Sequence, residues 1–143
     1  MAKGYYRFNN GIYPRKLYVA VGLDEDDVNS MFLSYDGSVK FDWDGCDAVE
    51  FDELKERSSG HLGSLVVFHS RHEMTPKLMS HEAVHVLESY MDAFGIERVE
   101  KGNNEHLSYL MGWIVGCMDE VRRGKAEIVL PVEKKTNKRK DRK

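Results

Sequence analysis

His81-Glu82-Ala83-Val84-His85 sets two imidazoles and a carboxylate at the intervals of a metal site. Two histidines four apart on a helix project the same way, with about 5–6 Å between their Cβ atoms. That suits two positions of one tetrahedral zinc ion. Glu82 points slightly around the helix, beside the metal rather than on it, where it can take a proton from a metal-bound water. A third protein ligand must come from elsewhere in the chain. The alternative for the pair is an amphipathic helix carrying two surface histidines.

The elements that must position this stretch are legible nearby. Thr75-Pro76 predicts a helix start, with threonine as N-cap and proline at the first helical position. The periodic run continues to Phe94, and Gly95 sits where a terminator belongs. Val84, Leu87, Met91 and Phe94 are expected on its apolar face, with Leu78, His81, His85 and Glu88 on a neighbouring stripe. A second helix is expected from Asn103 or Asn104 to about Arg123. Its Leu107, Leu110, Met111, Ile114, Val115, Met118 and Val121 read as apolar around much of the girth, so it is expected to be buried. Gly112 and Gly116 would there let another backbone come close. Glu105 lies 20 residues after His85, and a turn over Gly95–Gly102 would fold the second helix back and aim Glu105 at the histidines.

Met91 and Glu88 stand where a metzincin needs histidine and glycine, which excludes that class. The HExxH helix, the 20-residue spacing and the string Asn104-Glu105-His106-Leu107-Ser108 instead resemble the gluzincin metallopeptidases, the thermolysin-like group with an NExxS motif on the following helix. In scale the chain is more similar to minimal stand-alone HExxH…E proteins. These are small zincin-like proteins of tailed phages, closest through HEAVH and SYLMGWIVG, and more distantly the ImmA/IrrE-type peptidases, which would imply cleavage of a bound repressor. The resemblance covers roughly Ser64–Arg123. It implies a zincin-like α+β domain with a small twisted sheet packed on the HExxH helix and the glutamate helix behind it, Ser64–His69 being the edge strand. It implies Zn2+ held by His81, His85 and Glu105, Glu82 as general base, and a peptide or protein substrate. Where the thermolysin motif has an orienting aspartate, this chain has Tyr109, a candidate to support the site or a core residue.

The remaining candidates each have a plainer alternative. His69 and His72 follow the strand and could serve as oxyanion donors or substrate contacts, or be exposed loop histidines. Glu88 could hydrogen-bond a ligand histidine's free ring nitrogen. His106 points about 100° from Glu105 and reads as a surface group. Cys117 reads as a small buried hydrophobe, and Cys46 as a turn residue.

The first half supplies the sheet. Lys16–Val21 reads as a strand, and Asp24–Asp27 as a solvated helix start. Met31–Tyr35, the turn Asp36-Gly37 and Ser38–Trp43 read as a hairpin, because Val39, Phe41 and Trp43 alternate with charged residues. Asp47–Arg57 reads equally as helix or strand. Ser64–His69 is a short buried strand. Asp42–Gly45 opens like a calcium loop, but the glycine is misplaced for an EF-hand.

Length and charge bound the rest. The 143 residues allow one domain over 1–132 with a basic tail over 133–143. Hydrophobic residues are 41% and charged residues 31%, with a formal net charge of −3. The tail holds seven bases and two acids, so residues 1–132 carry 14 bases against 22 acids, a net of −8. An acidic body disfavours nucleic-acid binding by the domain, while the tail could make weak phosphate contacts or simply stay solvated. With two cysteines, no apolar leader and no run long enough to span a bilayer, the expectation is a cytoplasmic protein, in a host cytoplasm if phage-encoded, that is neither secreted nor membrane-bound. The functional expectation is a zinc-dependent metallopeptidase. The rival is a non-catalytic zinc-containing binding or assembly protein.

Overall fold

Lys16–Val21 (β2) and Leu62–Phe68 (β5) are buried on both faces, which is why their apolar runs are unbroken. The computed structural model describes residues 3–37 and 40–131. Its elements in chain order are β1 (Tyr5–Asn9), β2, α1 (Glu25–Met31), β3 (Phe32–Ser34), β4 (Ala48–Glu56), β5, α2 (Pro76–Phe94) and α3 (Glu105–Arg122). The fold is α+β. The five strands form one sheet in the order β1-β2-β5-β4-β3, with only the β2–β5 pair parallel. The expected tail over 133–143 lies outside the described residues.

Period-two alternation divides the core between two layers. Leu17, Val19, Val66 and Phe68 face α2 and α3, where Val86, Tyr90, Ile114 and Met118 close the packing. Tyr18, Ala20, Leu65 and Val67 face the other way, against Val28 and Met31 of α1 and Phe32 and Phe41. Among the described residues no helix is long and apolar enough to cross a membrane.

Four expectations are corrected. The hairpin does not form: β3 pairs with β4, and residues 40–46 run as a loop, with Ser38 and Val39 outside the described residues. The Asn29 side-chain amide accepts from Phe41 N and donates to Phe41 O, each at 2.8 Å. It supplies the two bonds a partner strand would have given, so Phe41 packs inward without a ladder. Met31, expected in that hairpin, closes α1, whose N-terminus is secured by an Asp24–Asp27 capping box.

Second, β5 is the middle strand rather than an edge, because β2 and β4 each occupy one of its sides. Third, α3 buries one stripe only: Leu110, Ile114, Cys117, Met118 and Val121. A Cβ at Gly112 or Gly116 would meet nothing within 4 Å, so no backbone approaches there. Met111, Trp113 and Val115 pack half-buried beside that stripe, and Ser108, Gly112 and Gly116 face solvent. Fourth, α2 turns Met79, Glu82, Ala83, Val86, Ser89 and Tyr90 inward, whereas Val84 is 44% exposed. The open choice over Asp47–Arg57 resolves as strand.

Candidate functional site

Both ends of α2 are set locally. The Thr75 hydroxyl accepts from Leu78 N at 3.2 Å, and Gly95 closes the helix at φ 62°, its N–H reaching Met91 O. Within this frame His81 and His85 stand side by side on the exposed side, ring centroids 5.1 Å apart and steeply inclined. Glu82, to one side of them around the helix, turns inward and is only 5% exposed. Burial raises its carboxyl above the ordinary range, against the pull of His85 and His81. No hydrogen bond reaches that carboxylate among the described residues. Glu82 and His81 line one cavity of about 520 Å³, bounded by Asp47 and Ala48 at the start of β4 and by Leu78 of α2.

Glu82 faces β4, and that surface is polar. Glu50 and Asp52 approach the Ser89 hydroxyl, which lies 2.6 Å from Asp52 Oδ1, 3.2 Å from Glu50 Oε1 and 3.0 Å from His85 O. Burial, reinforced by Asp52, pushes the Glu50 carboxyl up to about 9, whereas the hydrogen bond from Glu50 holds Asp52 low. Glu50 therefore keeps its proton and Asp52 is the ionised partner. Arg15 lies beside them, its guanidinium donating to Asp52 O and Ser64 Oγ, with Nε buried and without a partner among the described residues.

Glu50, Asp52, Ser89 and Arg15 escaped the sequence reading. The signal existed: Val49 and Phe51 alternate with Glu50 and Asp52, so reading 47–57 as a strand puts both carboxylates on one face. The other predicted site residues scatter. Glu105 is exposed at the first turn of α3, its N–H donating to Asn103 Oδ1 at 2.9 Å. That turn is tied to the segment after α2, through His106 Nε2 to Glu97 O at 3.0 Å and Asn104 to Val99. It therefore starts near the far end of α2, while His85 lies nine residues before Phe94, about 13 Å of helical rise.

His69 donates its backbone N–H to Asp47 O at 2.8 Å, but lines a separate cavity of about 300 Å³ with Asp24 and Trp43. His72 is exposed in a 3-10 turn over Arg71–Glu73. Glu88 is exposed on α2 and takes no histidine hydrogen bond among the described residues. Tyr109 is 77% exposed and lines a cavity with Ile12, Tyr13 and Trp113 that contains neither His81 nor His85.

The two imidazoles fit the role of neighbouring donors to one zinc ion, being paired, exposed and on one helix face. No group of three or more His, Cys, Asp or Glu residues able to hold a metal ion is gathered among the described residues. Two members of the expected donor set are thus together, and Glu105 is not with them. No family model, curated protein or solved structure matches this chain.

Proposed function

We propose that this chain is a zinc-dependent peptidase of the cytoplasm, with His81 and His85 holding the metal and Glu82 moving the proton. The observation that supports it is the histidine pair itself, rings 5.1 Å apart, with Glu82 buried beside it and facing the same cavity as His81. Zinc bound there would supply Lewis acidity for the carbonyl and for the attacking water. Glu82 takes a proton from that water as its oxygen joins the scissile carbon, and returns it to the amine as the C–N bond breaks. A carboxylate with no donor committed to it is free for both transfers. Glu105 as third donor enters the proposal through its motif and spacing alone, and would have to be brought to the histidines from the far end of α2. The substrate lies between Asp47–Ala48 and the first turns of α2. It cannot pair with β5, whose two edges are occupied.

That occupied strand also favours a second reading, a zinc-containing binding or assembly protein, since it removes the main-chain template an extended peptide would use. Elemental analysis of freshly purified chain separates the outcomes. Near one zinc per chain, lost in His81→Ala and weakened in Glu105→Ala, supports the site. Glu82→Gln should keep the zinc and lower cleavage of a peptide library by about 10²–10⁴-fold. Zinc without cleavage by the wild type selects the binding protein, and a wild type that takes up no zinc overturns both.

A further inference from the structure

On the sheet face opposite α2, a cavity of about 470 Å³ opens between the start of β1, the end of α1, the turn after β4 and residues 129–131. Its size falls within the roughly 300–1,000 Å³ of small-molecule sites. Two chemistries meet in it. Met31, Val129, Leu130 and Pro131 form an apolar wall, and Leu130 remains 47% exposed. Arg7 and Arg57 supply guanidinium groups, and among the described residues no aspartate or glutamate lines the cavity.

The two arginines differ in what they have left to give. Arg7 is committed to Glu56, its Nη2 at 2.5 Å and Nε at 3.1 Å from Oε2. Arg57 uses only Nε, donating to Asn29 O at 3.0 Å, and its terminal nitrogens have no hydrogen bond among the described residues. A fork of free donors beside an apolar wall is suited to one anionic head on an apolar body. Residues 1–132 carry a net of −8, and yet the unpaired charge among the described residues lining this cavity is the cationic Arg57.

We propose that this cavity is a binding site for a small anionic amphiphile, its carboxylate or phosphate head on Arg57 and its apolar body against Met31 and Leu130. The wall is held in place by the last described segment. Val129 exchanges both backbone hydrogen bonds with Tyr5, and a Cβ on Gly4 would collide with Val129 O, so the segment lies closely against β1. The site is independent of the zinc reading, since it lies across the sheet from His81 and Glu82 and shares no residue with their cavity.

Decanoate below its micelle concentration is the probe, titrated into the full chain and followed by calorimetry and amide chemical shifts. The expected result is saturable binding of one decanoate per chain, weakened at least tenfold by Arg57→Gln. Decyltrimethylammonium, with the same tail and opposite charge, should not compete. Ser30→Trp, at an exposed α1 position on the cavity wall, should fill the space and abolish binding with the melting profile unchanged. No saturable binding to the wild type overturns the proposal, as does decanoate affinity unaltered by Arg57→Gln or matched by the cationic amphiphile. Retention on anionic phosphatidylglycerol vesicles without decanoate binding would assign the arginines to a bilayer surface and overturn the small-ligand site.

Discussion

Two carboxylates are buried on opposite faces of the same sheet, and they are treated in opposite ways. Glu56, at the end of β4, is fully enclosed and receives bonds from the Tyr5 hydroxyl, from Arg7 and, at 2.6 Å, from Ser59 Oγ. Burial alone would raise its carboxyl, but these donors outweigh that and hold it below the ordinary value. Burial, with the same contact behind it, pushes the Tyr5 phenol up to about 12. Glu82 is nearly as enclosed, receives no donor among the described residues, and stays raised. A buried charge whose oxygens are satisfied is a structural part, and one left unsatisfied at the mouth of a cavity is available to a substrate.

The largest test of this contrast is Glu56→Ala. Removing the carboxylate strands Arg7 and Tyr5 and is expected to cost about 3–5 kcal/mol of unfolding free energy, read from urea denaturation. A loss below about 1 kcal/mol would erase the distinction between the two sites.

The next effect belongs to Glu50 and depends on pH. Its folded-state value is about 9 against an ordinary 4.5, so the folded chain holds a proton there that the unfolded chain releases. That contribution to stability is full below about pH 4.5 and is lost as pH rises toward 9. Glu56 has the opposite sign, its contribution being present above 4.5 and lost as pH falls through its lowered value. Glu50→Gln is expected to flatten the loss between pH 5 and 9 and to gain about 1–3 kcal/mol at pH 8. An unchanged pH profile would show that Glu50 ionises normally.

Ser89→Ala is expected to cost about 1 kcal/mol, from the hydrogen bond to Asp52. Glu82→Gln should give the smallest change, within about 1 kcal/mol of wild type, because no donor is left behind. A Glu82→Gln variant as damaged as Glu56→Ala would make Glu82 a structural group and remove it from the proposed chemistry.

Legibility follows how far apart the deciding atoms are in the chain. The extent of α2 could be read from Thr75-Pro76 and Gly95, since caps act within one turn. The adjacency of His81 and His85 could be read for the same reason. The hairpin at Asp36-Gly37 could not, because Asn29, 12 residues away, takes over the backbone of Phe41. Nor could the inner face of α2 be read from hydrophobicity. It turns Glu82 and Ser89 inward because β4 offers Glu50 and Asp52 there, and an apolar ranking of the helix positions misses a polar seam.

Local sequence sets β2, α1 and α2 with their caps, the span of α3, the histidine pair and an acidic body. Each depends on side chains within a turn or two of one another. Long-range packing puts β5 inside the sheet, starts α3 at the far end of α2 from His81, and satisfies Glu56 but not Glu82. These depend on contacts between residues far apart in sequence, such as Tyr5 and Arg7 with Glu56, or Ser89 with Glu50 and Asp52. Burial converts such contacts into energy, and only chain topology determines which groups are buried together.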